Sequence, residues 1–412
     1  MMPFRLPQSS MTASVVSTQS GSIQLLCYRL VHRRGFLFAA YAFFVTMLGT
    51  TLPTPLYPLY QERYGIGELQ VTVIFAVYAF GVIFGLILFG NLSDQLGRRP
   101  LLLLGLAFSA VNAILFLLAG SLVPIYAARV VSGFSAGIFT GTATAYLVDL
   151  AGDRRRFASL VAVVANLGGL GCGTLLSGLL ADYARDPLRL PFTVDLALLV
   201  PATIGLLAAP ETVSRRAWAM RIQRLGVPPE VRGVFARAAT AGFASFAVAG
   251  VFSSVAPTFL ASDLGYTSHA LAGLLVFILF GASIAGQVVV PRLSEERALV
   301  VGCTLLLAGI AFFGVAVGTE SLPLLLTSAV VDGLGQGIVI GAGLAAINQR
   351  APVARRGETA SSFFVVMYVG LSVPVIGVGV LASFVALKTA GIVFSVFVGV
   401  LVLAVLAAHK RA

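Results

Sequence analysis

Apolar residues run in blocks along almost the whole chain, separated by short polar or charged turns. The blocks are about 17 to 25 residues long, the length of a helix that crosses the hydrocarbon core of a bilayer. Backbone groups in lipid need internal partners, so such blocks are predicted to be spanning helices. Helices 1 to 6 are predicted at residues 35–57, 69–89, 101–119, 123–148, 157–181 and 192–209. Helices 7 to 12 are predicted at residues 238–260, 270–290, 298–317, 322–347, 359–384 and 389–408. The first ends in LPTPLYPLY, where Pro53, Pro55 and Pro58 have to kink or terminate it. Two stretches break the pattern. Residues 1–34 are rich in Ser and Thr, then weakly amphipathic, and lack the apolar core and cleavage site of a secretory signal. They read as a cytoplasmic tail, with Met11 as an alternative start. Residues 212–237 carry Arg215, Arg216, Arg221, Arg224, Arg232 and Arg237 with Pro228 and Pro229, and read as a long central cytoplasmic loop. Its Trp218 region is either a basic amphipathic helix on the membrane surface or a solvated linker.

Composition agrees with this layout. At 58% hydrophobic and 10% charged over 412 residues, the chain has too few charges for a soluble protein and no room for a soluble catalytic domain. The net charge of +11 invites a nucleic-acid reading, but the positions of the charges argue against it. With both termini inside, all but five of the 27 Lys and Arg fall in the tail, the inside loops or the C-terminal end. Arg63, Arg185, Arg189 and Lys388 fall outside, and Arg129 is intramembrane. This is the positive-inside bias of a multi-pass cell-membrane protein. Cys27, Cys172 and Cys303 fall in the tail and two helices, so neither a disulfide nor a metal site is expected. The chain has no GK[ST] loop for ATP, no HExxH, and no intramembrane His-Asp pair or paired catalytic carboxylates. No enzyme activity and no cofactor are expected.

Six helices on each side of the central loop invite a search for a repeat. At an ungapped offset of 200, VVSGFSAGIFTG from Val130 aligns with VVDGLGQGIVIG from Val330, and Arg155 and Arg156 fall on Arg355 and Arg356. Helices 1 and 7 match more weakly at an offset of 204, which puts Pro53, Thr54 and Leu56 on Pro257, Thr258 and Leu260. The expected fold is all-α, with twelve transmembrane helices in two pseudo-symmetric six-helix bundles at residues 35–211 and 238–412.

The turn after helix 2 reads GNLSDQLGRRP. Gly90 and Gly97 permit a tight hairpin, Arg98 and Arg99 hold it inside, and Pro100 suits a helix start. Gly90, Asp94, Gly97, Arg98 and Arg99 stand at the spacing of the signature loop of major facilitator superfamily transporters, which this stretch resembles. The resemblance covers about residues 35–408 and points to the drug and sugar efflux permease branch of proton antiporters. It implies that Asp94 latches one bundle to the other by meeting the start of helix 11 near Gly357 and Ser361, with Arg98 near Asp149.

Arg129 lies about a turn and a half inside helix 4, where an arginine costs on the order of 2.5 to 3.5 kcal/mol. It has to face water or a partner, or snorkel to the headgroups. Arg129, Gly133 and Gly137 resemble the family's helix-4 motif, whose arginine is implicated in proton coupling or substrate binding. Asp332 falls at the repeat position of Ser132, one turn from the counterpart of Arg129, so the two charges are expected to face one central cavity. Asp332 is then the acid that exchanges a proton or recognises a cation; the alternative is a structural carboxylate tied to helix-end amides or to Arg129. Asp195, near the outer end of helix 6, is expected to face outside water and ranks below Asp332.

GLGCGTLLSG in helix 5 resembles the family's antiporter motif at Gly169, Gly173 and Gly178. Thr174 replaces its proline and Ser177 a glycine, while Pro374 occupies the repeat-equivalent place on helix 11. Helices 1, 4, 7 and 10 face the cavity in this family. By that resemblance Tyr41, Thr46, Thr50, Ser132, Ser245, Ser253, Gln336 and Asn348 are polar candidates, with Phe43 and Phe246 as apolar walls. Such a cavity suits small amphipathic or cationic compounds, and the single tryptophan, Trp218 in the loop, argues against a sugar site. The expected function is proton-driven export of a small-molecule substrate by a functional monomer in the lipid bilayer. Proton-coupled uptake of a metabolite and a non-transporting sensor are the rivals.

Overall fold

The computed structural model describes residues 32–213 and 223–410, so most of the expected tail and Trp218 lie outside the described residues. Among the described residues twelve helices are long and apolar enough to cross a membrane. They are α1 (His32–Tyr64), α2 (Glu68–Phe89), α3 (Arg98–Leu117), α4 (Leu122–Ala151), α5 (Arg155–Tyr183) and α6 (Leu190–Ala208). The second set is α7 (Pro229–Ser254), α8 (His269–Arg292), α9 (Arg297–Thr319), α10 (Leu322–Arg350), α11 (Arg356–Ala382) and α12 (Leu387–His409). Arg98, Arg155 and Arg356 begin their helices at one end of the molecule, the basic end; Tyr64 and His269 lie at the other, the far end.

The prolines after Leu52 break α1 without ending it. A 3-10 turn, Thr54–Leu56, leads into a further helical stretch, Tyr57–Tyr64, beyond the predicted stop. In the second bundle the regular helix stops at Ser254 and resumes as Ala256–Ser262, with Pro257 in its first turn. Proline has no N–H, so carbonyls near such a break lose their helical donor. Two of them take side chains instead: the Thr50 carbonyl accepts from Arg129 Nη1 at 2.8 Å and the Leu52 carbonyl from Ser177 Oγ at 2.5 Å.

The repeat is visible in the packing. Gly133 and Gly137 of α4 lie against the backbone of α2 at Gly81 and Gly85, and Gly333 and Gly337 of α10 lie against the backbone of α8 at Leu279 and Ser283. A methyl group at any of the four would collide with the neighbouring main chain, so glycine sets the helix separation. The two bundles meet along α2 with α11 and along α5 with α8. At the far end the last turns of α1 touch α8 and the helix Ala256–Ser262. Residues 45–57 and 247–260 are buried on every side, whereas the basic-end halves of α1 and α7 alternate between buried and exposed positions. The far end is therefore sealed where the bundles meet.

Candidate functional site

Arg129 is 2% exposed and sits where α1, α2 and α4 meet. Besides its bond to the Thr50 carbonyl, its Nε donates to the Ile74 carbonyl at 3.4 Å. The guanidinium lies 4.5 Å from the Tyr78 ring centroid and 6.0 Å from that of Phe75, so carbonyl dipoles and ring faces, not a carboxylate, balance its charge. It does not snorkel. Nor does it share a cavity with Asp332, contrary to expectation. Asp332 is fully buried on α10 and turned against Gly309 of α9, and neither carboxylate oxygen has a hydrogen-bond partner. The reason is angular: three residues turn a helix through about 300°, so position 332 points some 60° away from the face that the counterpart of Arg129 occupies. Ser132, its repeat equivalent, is likewise buried with an unpartnered hydroxyl. Asp195 also departs from expectation, since it is fully buried against Gly49 of α1, again with both oxygens unpartnered.

Several expected cavity residues are internal braces of the first bundle. The Tyr41 hydroxyl donates to the Leu198 carbonyl of α6 at 3.1 Å, Phe43 packs on Phe139, and Thr50 Oγ1 donates to its own helix at the Met47 carbonyl. Thr46 is fully buried with its hydroxyl unpartnered. In the second bundle Ser245 Oγ donates to the Gly242 carbonyl at 2.9 Å, and the Ser245 carbonyl accepts from Gln336 Nε2 at 3.5 Å. Phe246 meets Tyr368 of α11 edge to face at 5.5 Å; Ser253 is buried and Asn348 half-buried. Tyr368, which the sequence did not single out, is buried on α11 against Phe246.

At the basic end Gly97 has φ 104° and ψ 154°, a backbone shape that glycine tolerates and other residues do not. A methyl group there would also run into the Glu211 carboxylate. Glu211 accepts from the backbone N–H groups of Arg98 at 2.9 Å and Arg99 at 3.0 Å, tying the start of α3 to the end of α6. Negative charge is favourable at a helix N-terminus. The only signal for this role in the sequence was an acid directly after the sixth apolar block. Arg98 Nε donates to Asp149 Oδ2 at 3.2 Å, and its Nη1 meets Asp94 at 2.6 Å and Ser93 Oγ at 2.6 Å. Asp94 does not reach the start of α11 in this conformation. Its side chain is 66% exposed, because Arg98, one helical turn on, is the nearer cation. Gln223 occupies the expected meeting place. A methyl group on Gly90 would stand 3.5 Å from the Gln223 side chain, and one on Gly357 3.9 Å from it. The Gln223 N–H donates to the Ile87 carbonyl at 3.0 Å, and the Gly226 N–H to Ser362 Oγ at 2.9 Å, so the loop bridges α2 and α11.

On α5, Gly169 and Gly173 receive the backbone of α1 at Phe44 and Leu48, and Gly178 receives that of α8 at His269. The two departures from the motif have work of their own: Ser177 binds the Leu52 carbonyl of α1, and Thr174 Oγ1 reaches the Gly273 carbonyl of α8 at 3.1 Å. Beyond them stands Asp182, another residue that sequence reasoning missed. Its carboxylate accepts from Ser268 Oγ at 2.7 Å and from the backbone N–H groups of His269 and Ala270 at 2.9 Å each, and lies 2.9 Å from His269 Nδ1. One side chain of the first bundle thus caps a helix of the second.

A family model described as Major Facilitator Superfamily matches residues 39–374 and again 239–410. The chain is 27% identical over 265 residues to the multidrug transporter MdfA of Edwardsiella ictaluri, covering 62% of each. It is 25% identical over 151 to 152 residues to two further relatives, one of them the quinolone resistance protein NorA of Staphylococcus aureus, of which the match covers 38%. These matches span less than two thirds of each of the three relatives. A solved POT family transporter in complex with 5-aminolevulinic acid has a TM-score of 0.73 at 14% identity, over 92% of this chain and 96% of that one, a likeness of fold. The family model spans nearly all the helical region of this multi-pass membrane protein, with its repeated bundles and signature loop, and the chain belongs to the Major Facilitator Superfamily.

Proposed function

We propose that the protein is a secondary carrier that exports small amphipathic or cationic compounds by alternating access, driven by protons. The observation that carries this reading is the set of buried ionisable groups without counter-ions. Arg129 is held by carbonyls and ring faces, and Asp195 and Asp332 have no hydrogen-bond partner among the described residues. Ionisable residues inside a membrane are costly and mark ion or substrate pathways. A carboxylate buried in this way is tolerable only when neutral. A conformation that lets water reach it allows ionisation, and this links proton movement to the change of conformation.

Export and the substrate class are supported by the names of the relatives, a multidrug transporter and a quinolone resistance protein. The basic excess supports a cytoplasmic basic end with both termini inside. On this orientation the sealed far end is the outside, and Asp94, held by Arg98 here, latches the bundles only when the basic end closes. The test is accumulation of ethidium and a panel of labelled antibiotics, sugars and amino acids in efflux-deficient cells, with and without a protonophore. Expression should lower accumulation of a cationic compound, and the protonophore should abolish the effect. Higher accumulation would refute export, and no change for any compound would refute the reading as a whole.

A further inference from the structure

The proton-driven reading leaves open which buried acid carries the proton and how its charge reaches the helices that move. Three buried polar groups of the first bundle answer this together. Asp195 of α6 is fully buried, packs so closely on Gly49 that a methyl group there would overlap its carboxylate, and has both oxygens unpartnered. Thr46 Oγ1, one turn earlier on α1, is buried and unpartnered, and so is Asn112 Oδ1 of α3. Phe116 of α3 stacks on Phe192 of α6 with centroids 4.4 Å apart. Asn112 and Asp195 each stand one turn further in from that stack on these two antiparallel helices.

We infer that Asp195 carries the coupling proton and that its protonation seals α6 against the broken stretch of α1. A neutral carboxyl group has one O–H to donate and the unpartnered Asn112 Oδ1 can only accept, whereas the Thr46 hydroxyl can donate to either form; an ionised carboxylate has no proton for Asn112 Oδ1 and brings a buried charge. Among the described residues no charged group pairs with it. Of the elements packed against it, α1 contributes Tyr41, whose hydroxyl is spent on Leu198, and towards the far end the buried Tyr57 and Tyr60, neutral phenols of which Tyr60 lies on Phe116, while α3 has no titratable residue beyond Arg98 and Arg99 at its basic end. On α5 the nearest titratable group by level is Cys172, half-buried, with Asp182 engaged at α8. Arg129 of α4 binds the Thr50 carbonyl next to Gly49 and forms no ion pair with Asp195.

Position favours Asp195 over Asp332. Asp332 lies between two regular helices, α9 and α10. Asp195 is five residues from the far-end start of α6, about 8 Å along the axis, and abuts the helix whose break at Thr54–Leu56 touches both α5 and α8. Displacing the far segment of α1 uncovers Asp195 to water from the far side. Water then delivers a proton to the carboxylate from the far side, closure buries the neutral acid, and a later opening towards the basic end lets it ionise and return the proton to water on that side. Removal of the proton at high pH leaves a buried charge and drives the seal open.

The experiment is hydrogen exchange of residues 45–57 and 190–200 in the full-length protein in lipid nanodiscs, corrected for intrinsic exchange, from about pH 5.5 to about 9. In wild type, protection should fall at least tenfold as pH rises. Asp195→Asn should hold protection within about twofold across the range, and Asp332→Asn should follow wild type. A wild-type fall in Asp195→Asn, or no fall in wild type, overturns the inference. Should the amide variant fail to fold, Asp195→Glu keeps an ionisable group and should move the midpoint of the response; an unmoved midpoint overturns the inference equally. In proteoliposomes, Asp195→Asn should lose ethidium movement driven by a pH gradient at least tenfold while keeping ethidium exchange without a gradient. Failure of wild type to move ethidium would sink the exporter reading, on which this inference rests, and the exchange measurement would still judge the seal.

Discussion

Asp182→Asn tests whether the seam between α5 and α8 is a gate or static packing. The carboxylate is 17% exposed and collects four contacts from Ser268, His269 and Ala270 at 2.7 to 2.9 Å. Hydrogen bonds to a charged group contribute about 1.5–3 kcal/mol against about 0.5–1.5 for neutral pairs, and an anion at a helix N-terminus adds about 0.3–1. The amide keeps the shape, loses the charge, and turns an NH2 group towards backbone donors. A loss of about 2–3 kcal/mol follows, allowing for partial exposure. Because the two partners belong to different bundles, the contact exists only while the far end is closed. The same energy therefore moves the closed-to-open ratio by about 30- to 150-fold. Spin labels at Tyr183 and Tyr266, both exposed and both next to the clasp, report the separation directly. The variant should populate a longer distance that is minor in wild type. An unchanged distance distribution, with the protein folded, would refute the reasoning and leave Asp182 as a helix cap only.

Other substitutions test the rest of the scaffold. Gly97→Ala combines a strained backbone of about 1–3 kcal/mol with displacement of Glu211 from the start of α3, and should lower the unfolding temperature in detergent by several degrees; an unchanged temperature would show that the turn relaxes freely. Arg129→Lys keeps the charge but replaces the planar fork that spans carbonyls of α1 and α2 with a single ammonium, so ethidium efflux should fall at least tenfold in a folded protein, and wild-type efflux would remove Arg129 from the mechanism. Asp94→Asn should change stability by less than about 1 kcal/mol, because the pair with Arg98 is solvent-screened, yet slow transport. If transport rate and conformational balance both stayed at wild-type values, the latch would be wrong.

The sequence by itself determined the number of helices, their division into two related bundles and the identity of the turn that joins α2 to α3. These are one-dimensional properties: block length reports the bilayer, and the spacing of glycines reports close helix contact. It also located the break in α1, because proline acts through its own missing N–H wherever it falls, but it gave helix 7 as one unbroken span. Which way a buried side chain points was decided only by the tertiary structure. Asp332 reads in the string of letters as a cavity acid and Asp195 as a residue facing outside water, and each instead faces a glycine on a neighbouring helix, Gly309 and Gly49. For Asp332 a rotation of about 60°, less than one residue's turn, separates the two outcomes, and hydrophobic pattern does not resolve it where nearly every residue is apolar. Glu211 and Asp182 were illegible for a different reason. Each acts on backbone N–H groups far away in sequence, at Arg98 and Arg99 or at His269 and Ala270, and a backbone amide carries no letter of its own.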